Sequence, residues 1–517
     1  MKEASQKEIK SKFTIKRLFY GRTLITILAL LVQILLILWM MTSLLENVPA
    51  MFGGVVAFTA VMLIWVLNSP GNPTQKLSWT ILIAIFPVFG TVLYLFFRYD
   101  LGQRVERVLL QRSIQESAAF LPESAAEPDA IRDREPELYS VARYLQGQGF
   151  PLCGDTEVTY YPVGEEFLAG VLPELEKAER FIFLEYFIVA PGVMWDSILD
   201  ILKRKAQQGV QVRLLYDGSN AVTLLPYGYP AQMEKLGIQC KMFSPFRPIV
   251  STHYNNRDHR KILVVDGTVA FTGGINIQDR YINRERICGH WKDTAVMVHG
   301  QAASMFTLLF LQMWNAQQRE QKWEPYIPAC TQQTAAGYVI PYADSPSDGE
   351  QVGERVYLQI LNQAKDYVYI MTPYLILDNE MVTALCFAAQ RGVDVRLLLP
   401  GIPDKKTVYL LAQGHFPELL RSGVKIYRYS PGFVHAKVFL SDDIHAVVGT
   451  INLDYRSLYL HHECAAYLYK VKAIEDIIRD FESTFKLCDQ VTMEDIKKRG
   501  MLSRLLGAVL KVAAPLM

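Results

Sequence analysis

His259-Arg260-Lys261 with Asp266, and His435-Ala436-Lys437 with Asp442, repeat one pattern of three residue types. In each copy the lysine follows the histidine by two positions, and the aspartate follows the lysine by five. Glycine and asparagine come next at matched distances, in Gly273-Gly274-Ile275-Asn276 and in Gly449-Thr450-Ile451-Asn452. Two copies of one phosphate-handling set predict two half-sites that meet in one active site, and they indicate phosphodiester chemistry.

The sequence around each pattern is also repeated. In the first half, an apolar strand over 181–187 is followed by a helical stretch near 195–208 and a β-branched strand over 209–215. The matching segments of the second half are 367–373, 378–390 and 392–398. Strand, helix and strand predict a βαβ unit with a parallel pair. A duplicated α/β domain explains this arrangement.

The four basic side chains suit the charge changes of phosphodiester transfer. Alternate residues of a strand face one side, so His259 points with Lys261, and His435 with Lys437. The lysines neutralise phosphate oxygens. One imidazole attacks phosphorus and the other protonates the departing alkoxide. The residues alone leave open which histidine has which task.

The motif aspartates, Asp266 and Asp442, are counted in the candidate catalytic set because each completes a motif. Asp266 precedes Gly267 as in a hairpin turn, and Asp442 lies in Ser441-Asp442-Asp443. We therefore expect both carboxylates at the far ends of their strands, in a mainly structural role.

Bulk composition excludes several classes of protein. The chain has 517 residues, enough for two or three domains, and a net charge of +1 that gives no field favouring nucleic acid. Its seven cysteines are widely spaced without a CxxC, which argues against a disulfide framework or a cysteine zinc site and mildly favours a reducing compartment. No phosphate-binding GxxxxGK[ST] loop occurs.

A metal site is not expected either. The nearest candidate is His461-His462-Glu463, but adjacent histidines on a strand face opposite ways. The sequence therefore predicts catalysis without a metal ion, a nucleotide or any other cofactor.

Three apolar runs at about 24–45, 51–67 and 77–97 predict an N-terminal membrane region. Pro87-Val88-Phe89-Gly90 should kink or break the third run. A cleaved signal peptide is the alternative for the first run, and buried core helices are the alternative for the others. Basic residues flank both ends of the region, so the number of true spans and the side holding the active site stay open.

The predicted organisation follows from these features. The expected segments are a basic cytoplasmic tail (1–22), membrane segments (23–97), a charged helical connector (98–140), the first domain (141–325), a linker (326–350), the second domain (351–490) and an amphipathic C-terminal segment (491–517). The last could rest on anionic lipid or pack as an ordinary terminal helix.

The motifs resemble those of the phospholipase D superfamily, and the N-terminal region resembles that of its bacterial cardiolipin synthases. The surroundings agree, in Asn256-Arg257-Asp258 before His259 and in Asn452-Leu453-Asp454-Tyr455-Arg456-Ser457. The similar membrane residues are Asn72, Pro73, Lys76, Trp79, Pro87, Gly90 and Tyr94. The run at 24–45 departs from the family, which more often has two N-terminal segments.

This resemblance implies two phospholipase D-like α/β domains with one active site at their interface, preceded by transmembrane helices, in a multi-pass protein of a bacterial cell membrane. It implies phosphatidyl transfer between two phosphatidylglycerols, giving cardiolipin and glycerol through a phosphatidyl-histidine. Phosphatidylglycerol and the anionic bilayer are the implied partners, with no nucleic acid; the oligomeric state stays open.

Residue roles are implied as well. His259 is the implied nucleophile and His435 the implied acid, while Asn276 and Asn452 are implied to bind the substrate phosphate. Each imidazole needs a partner that fixes its tautomer. From similar distances downstream, we hypothesise Asp293 behind His259 and Glu463 behind His435.

Other functions remain open from the sequence. A membrane-bound phospholipase D or phosphodiesterase, or a phosphatidyltransferase with another alcohol acceptor, would share the motif residues. An inactive membrane scaffold is the non-enzymatic alternative. The apolar runs and the lack of basic excess argue against a nuclease.

Overall fold

The computed structural model describes Leu35, Trp39 and residues 52–99, 104–245, 256–316, 318, 322–327 and 335–516. These residues divide into two compact units, one of which contains residues up to Arg104 and the other nearly all of the remainder. The apolar run at 24–45 lies outside the described residues, apart from Leu35 and Trp39.

Three helices form the described part of the first unit: α1 (Phe52–Asn68), α2 (Pro73–Ile85) and α3 (Pro87–Tyr99). The Asn72 side chain caps α2 by accepting from the Thr74 amide at 2.9 Å. The predicted interruption of the third apolar run is confirmed, because α2 ends before Pro87 begins α3. Among the described residues, no helix combines the length and apolar character needed to cross a bilayer.

Aromatic rings hold these three helices together. Tyr94 contacts Trp65 and Trp79 edge-on, with centroid separations of 5.6 and 5.5 Å. Gly90 allows the close approach of α3 to α2, since a methyl group there would lie 2.9 Å from the Cα of Ile83. Trp79 and Tyr94 therefore serve helix packing within this unit.

The second unit begins at Val105, within the first of three helices: α4 (Arg104–Ser117), α5 (Pro128–Ile131) and α6 (Pro136–Gly147). Although we read this stretch from its charge as a connector, part of it packs into the body. Leu110 is buried in the central core, and Ser113 donates to the carbonyl of Gln312 at 2.9 Å.

Two sheets dominate the second unit. The first has the order β1-β8-β6-β5-β2-β3-β4. Its strands are β1 (Thr156–Tyr161), β2 (Phe181–Tyr186), β3 (Gln211–Asp217), β4 (Ile238–Phe243), β5 (Lys261–Val265), β6 (Val269–Gly273) and β8 (Ala295–Gly300), and the short β7 (His290–Lys292) lies outside this sheet. Its helices are α7 (Gly164–Lys177), α8 (Val193–Gln207), α9 (Asn220–Thr223) and α10 (Tyr229–Glu234).

The second sheet has the order β17-β12-β11-β10-β14-β15-β16-β9. Its strands are β9 (Tyr338–Asp344), β10 (Tyr367–Met371), β11 (Asp394–Pro400), β12 (Lys425–Tyr429), β14 (Val438–Ser441), β15 (His445–Gly449), β16 (Glu463–Tyr469) and β17 (Cys488–Gln490), with β13 (Gly432–Val434) outside it. Its helices are α12 (Val352–Gln363), α13 (Asn379–Gln390), α14 (Lys406–Arg421), α15 (Tyr455–Tyr459) and α16 (Ala473–Phe485).

The two sheets repeat one topology. Read from β1 and from β9, the strand orders correspond position by position, and the second sheet adds only β17. The predicted parallel pairs are present, β2 with β3 and β10 with β11. The expected duplicated α/β fold is therefore confirmed.

One core joins the two halves. Inner-face residues of both sheets, such as Val264 and Val448, share a hydrophobic cluster with α11 (Gln301–Ala316), which is buried after its first residue. In addition, β7 of the first half pairs in parallel with β13 of the second. This pairing brings the two motif regions to one place.

Two helices end the chain: α17 (Met493–Lys497) and α18 (Met501–Ala513). The Arg499 guanidinium donates to the carbonyl of Gln413 at 3.1 Å, which ties this end to α14. The outer side of α18 presents five exposed apolar side chains: Met501, Leu505, Leu506, Val509 and Val512.

Candidate active site

The two motif histidines lie just before strands, in extended segments. The strands begin at Lys261 and at Val438, two and three residues after the histidines, so our expectation that each histidine lies within a strand is wrong. Backbone bonds to the opposite half hold these segments. The His259 amide donates to the carbonyl of His462 at 2.9 Å, and the His435 amide donates to that of Lys292 at 2.7 Å.

Each histidine is paired with an acid from the other half. Nδ1 of His259 lies 2.9 Å from Oε2 of Glu463, and Nδ1 of His435 lies 2.6 Å from Oδ2 of Asp293. Our hypothesis of Asp293 behind His259 and Glu463 behind His435 is therefore wrong, because the partners are exchanged. The exchange follows from the backbone bonds, which place His462, just before Glu463, beside His259, and β7 beside His435.

Glu463 is a fully buried carboxylate with several partners. Both of its oxygens lie within 3.0 Å of Nδ1 of His259, and Thr450 donates its hydroxyl to Oε2. Burial alone would raise the pKa of Glu463, but attraction to His259 and hydrogen bonds outweigh it and hold the pKa well below its usual range. Glu463 is therefore an anion that accepts a hydrogen bond from Nδ1 of His259.

Asp293 has the matching environment. Its Oδ1 accepts from the Thr294 amide at 2.9 Å, which leaves Oδ2 for His435. Burial works to raise the pKa of Asp293, and the nearby His435 and Lys437 lower it overall. Gly274 makes room for this carboxylate, since a methyl group at that position would lie 2.0 Å from Oδ1.

Burial keeps both imidazoles neutral. It lowers the pKa of His259 to about 3 and that of His435 to about 4, and the adjacent lysine adds to the effect in each case. Both histidines are only 7% exposed, so both rings are largely shielded from water. With Nδ1 directed at a carboxylate, Nε2 is the nitrogen left for chemistry.

The two lysines are buried, and each contacts the motif histidine two residues before it. Lys261 Nζ donates to the carbonyl of His259 at 2.5 Å. Lys437 Nζ donates to the carbonyl of His435 and lies 2.9 Å from its Nδ1. Burial lowers the pKa of Lys261 to about 8 and that of Lys437 to about 7. An anion bound between them would restore their positive charge.

The motif aspartates lie in turns, away from the histidine–acid pairs. Asp266 and Asp442 have positive φ angles of 54° and 52°. Asp266 accepts from the backbone amides of Glu179, Arg180 and Phe181, each at 2.8 Å. Asp442 accepts equivalently from the amides before β10. These contacts tie adjacent strands together. Asp266 and Asp442 therefore have a structural role, and their place in the candidate catalytic set is wrong.

The two asparagines differ in their contacts. Asn276 accepts from the Ile188 amide at 2.9 Å and donates to the Tyr281 hydroxyl at 2.7 Å. Asn452 is also buried, but its Oδ1 has no hydrogen-bond partner among the described residues. The structure therefore holds Asn276 in place, whereas the Asn452 amide has unused capacity beside the site.

Several supporting residues escaped sequence reasoning. Arg260 bonds Glu185 at 2.8 Å on the side of the segment opposite His259. Lys292 forms a buried ion pair with Asp480 at 2.7 Å, and Tyr160 also donates to that carboxylate at 2.7 Å. The sequence did contain a signal for Arg260. A charged residue between His259 and Lys261 should point to the side opposite both of them, where it needs an acid as partner. Nothing in the sequence connected Lys292 to Asp480.

Aromatic rings surround the imidazoles. Phe187 packs edge-on against His259 with ring centroids 5.0 Å apart. Tyr281, Trp291 and Phe433 surround His435 at centroid separations of 5.4, 5.3 and 6.0 Å. These contacts limit rotation of the rings and exclude water from the Nδ1–carboxylate bonds.

Comparison with known proteins agrees with this architecture. Residues 171–314 and 357–485 match the family described as "Cardiolipin synthase, PLD-like domain". Residues 57–98 match the family described as "Phospholipase_D-nuclease N-terminal". The two halves of the former match enclose both histidine–lysine motifs.

Individual relatives cover most of the chain. An uncharacterized protein of Streptococcus mutans serotype c is 49% identical over 88% of this chain and 99% of its own length. A cardiolipin synthase of Geobacillus kaustophilus is 34% identical over 86% of this chain and 89% of its own. The fold is similar to that of a phosphatidylserine synthase from Haemophilus influenzae Rd KW20, with a TM-score of 0.57 and 13% identity over 73% of this chain and 97% of that one.

The family matches and the relatives agree on a membrane-associated phosphatidyltransferase of phospholipid synthesis. The duplicated α/β fold and the paired motifs agree with the same assignment. The chain belongs to the cardiolipin synthases of the phospholipase D superfamily.

Proposed function

We propose that the chain transfers a phosphatidyl group from one phosphatidylglycerol to the hydroxyl of another, releasing glycerol and forming cardiolipin. The observation that carries this proposal is the pair of buried histidines, each with an acid across the interface and a lysine two residues on. Such a site offers two positioned imidazoles and two cations to one phosphodiester. It needs no external energy source, because one phosphodiester replaces another.

His259 is assigned the nucleophile. Its Nδ1 proton is directed at Glu463, so the lone pair on Nε2 is available to attack phosphorus. The lowered pKa, about 3, keeps the ring neutral at ordinary pH. Attack forms an Nε2–phosphorus bond and breaks the bond from phosphorus to the glycerol oxygen. The resulting phosphatidyl-histidine is positively charged on the ring, next to the Glu463 carboxylate.

His435 is assigned the acid and then the base. It protonates the departing glycerol oxygen from Nε2, and it later removes the proton of the second lipid's hydroxyl as that oxygen attacks phosphorus. Asp293 stabilises the protonated ring at Nδ1. Burial and Lys437 lower the pKa of free His435 to about 4, so an anionic phosphodiester must help it to take up the first proton.

The remaining polar groups bind the phosphate. Lys261 and Lys437 neutralise the charge that grows on its oxygens in the transition state. The two asparagines lie with the lysines around the phosphate. Asn452 donates to the phosphate from its side-chain amide, and Asn276 is held by Ile188 and Tyr281 and shapes the phosphate pocket.

Membrane attachment favours transfer over hydrolysis. The phosphatidyl-histidine is open to any hydroxyl, and an acceptor lipid wins over water only when it is held close, where effective molarities are very large. We propose a multi-pass attachment through the apolar N-terminal runs, supported by their length and by the match at residues 57–98. This attachment keeps the site at a surface where phosphatidylglycerol is concentrated.

Product analysis tests this function. Full-length protein is reconstituted into vesicles in which phosphatidylglycerol is the sole phosphodiester lipid, and products are separated by chromatography and mass spectrometry. Cardiolipin and free glycerol in equal amounts are expected. Phosphatidic acid as the main product would make the protein a hydrolase, and a new phosphatidyl ester formed only with an added alcohol would point to another acceptor. No turnover would leave the inactive scaffold.

A further inference from the structure

A third histidine lies beside the proposed nucleophile. The ring centroid of His461 is 5.6 Å from that of His259, and its Nδ1 is 3.7 Å from Oε1 of Glu463. Its side chain is 11% exposed, and neither ring nitrogen has a hydrogen-bond partner among the described residues. The transfer reaction gives His461 no task. A largely buried imidazole with unused nitrogens beside a carboxylate is suited to binding a metal ion.

The position of His461 follows from the segment that leads into β16. His461 and Glu463 are two residues apart and face one side, whereas His462 faces the other and packs against Phe243 at 5.4 Å. The adjacent histidines therefore do not chelate one ion together. The second imidazole at this place comes from the first half of the chain, as His259.

We propose that His259, His461 and Glu463 form an inhibitory site for zinc or a similar transition-metal ion. Their candidate ligand atoms all lie within 4.8 Å of one another. Two imidazoles and one carboxylate are a donor set that zinc uses in proteins, with one position left for water. This inference rests on the proposed function, because it takes His259 as the nucleophile.

The distances suit a tetrahedral ion. Bonds of about 2.0–2.1 Å in a tetrahedron separate the ligand atoms by roughly 3.3–3.4 Å. Oε1 of Glu463 lies 3.0 Å from Nδ1 of His259 and 3.7 Å from Nδ1 of His461, on either side of that value. A small rotation of His461 would complete the site, and no described hydrogen bond opposes it. The nearby cation Lys261 opposes binding and should limit the affinity.

Metal binding would inhibit by moving one proton. An ion bonded to Nδ1 of His259 replaces the proton that this nitrogen donates to Glu463. The neutral imidazole then carries its single proton on Nε2, so one proton leaves Nδ1 and one is gained at Nε2. Nε2 no longer has a lone pair with which to attack phosphorus. The ion is therefore an inhibitor and takes no part in the reaction.

The test compares metal response in wild type, His461→Phe and the matched control His299→Phe, a histidine on β8. Cardiolipin formation by the full chain is measured against increasing ZnCl₂, and then with excess chelator. Binding is measured separately from the visible absorption of added Co²⁺, which grows strong when the ion is tetrahedral. His461→Asn and far-UV circular dichroism serve if the phenylalanine variant folds poorly.

We expect zinc to inhibit wild type and His299→Phe reversibly. For the same inhibition, His461→Phe should need a zinc concentration at least roughly tenfold higher. The tetrahedral Co²⁺ signal should fall in both His461 variants. Equal inhibition and equal Co²⁺ signals in all folded variants, as binding at cysteines would give, would overturn the site. If metal-free wild type made no cardiolipin, the proposed function would fail, and the Co²⁺ measurement would still report on the site.

Discussion

Glu463 lies 204 residues after His259 in the chain, and its carboxylate is 2.9 Å from the Nδ1 of that histidine. Asp293 and His435 make the reciprocal contact in the other direction. Neither histidine–acid pair is therefore formed within one domain. Each half supplies the acid that orients the histidine of the other.

The first prediction concerns the histidines themselves. His259→Ala and His435→Ala should each abolish cardiolipin formation in protein that still folds, although each should lower the unfolding temperature because a buried carboxylate loses its imidazole. Members of one catalytic unit fail together, so the double variant should be little slower than either single variant. Initial rates on phosphatidylglycerol vesicles measure this. Substantial activity in either single variant would contradict the two-histidine mechanism.

The exchanged partners can be tested by double-mutant cycles on stability. Glu463→Gln and His259→Ala should be non-additive in the free energy of unfolding, by roughly 0.5–3 kcal/mol, because the two side chains are in contact. Glu463→Gln with His435→Ala is the matched control and should be close to additive. Coupling of Glu463 to His435 in place of His259 would contradict the arrangement.

The same acids should matter for rate. Glu463→Gln and Asp293→Asn preserve shape but lose the charge that fixes the tautomer, and each should slow turnover by about 10³–10⁴-fold. Asp266→Asn is a useful contrast, since the Asp266 side chain bonds only backbone amides that lead into β2, among the described residues. It should lower the unfolding temperature more than the rate per folded molecule.

The lysines predict a fall in activity at alkaline pH. Lys437 and Lys261, with pKa values of about 7 and about 8, are charged below those values and lose charge as pH rises through them. The quantity kcat/KM reports on the free enzyme and should therefore fall over that window. His259, with a pKa of about 3, stays neutral throughout and adds no opposing change.

Arginine provides the control for this pH dependence. Lys437→Arg stays charged at all working pH values. It should therefore remove the part of the fall in kcat/KM that comes from Lys437, although its kcat/KM should be below that of wild type. Lys437→Ala and Lys261→Ala should each cost roughly a hundred- to a thousand-fold. A profile of kcat/KM that stayed flat to alkaline pH in wild type would contradict a role for free-enzyme lysine charge.

The two asparagines should separate stability from binding. Asn276 bonds Ile188 and Tyr281, so Asn276→Ala should destabilise the fold by about 1–3 kcal/mol through the unpaired groups it leaves. Asn452→Ala should mainly raise KM for phosphatidylglycerol. Both should cost less in rate than loss of Lys261. Thermal unfolding and steady-state kinetics on the same samples distinguish the two effects.

Removal of the N-terminal unit should change the product. A chain that begins at Arg104 keeps Leu110 and Ser113 in the body but loses the apolar runs. It should turn over slowly, with a larger share of phosphatidic acid, because the acceptor lipid is no longer held close. An unchanged ratio of cardiolipin to phosphatidic acid would show that the N-terminal runs do not govern the acceptor. The chain should not begin as late as Arg134. That truncation would also remove the core contacts of Leu110 and Ser113, so a change in product could come from a damaged fold.

The sequence predicted those features that are encoded locally. Apolar and β-branched runs on either side of a helical stretch located both βαβ units, and Asp266-Gly267 located a turn. The assignment of acids failed for a physical reason. In a duplicated chain, spacing along the sequence is the same whether a carboxylate serves its own half or the other. The choice is made by β7 pairing with β13, a contact that no local pattern encodes.

The pairing of β7 with β13 also has an evolutionary consequence. An isolated half would lack the imidazole that pairs with Glu463 or with Asp293, so neither histidine–acid pair could form within it. A single-copy ancestor with this strand arrangement could complete a centre only by binding a second copy of itself about a two-fold axis. Gene fusion would then have released the halves from identity. Two residues before each orienting acid, the second half has His461 packed on His259, and the first half has Trp291 packed on His435.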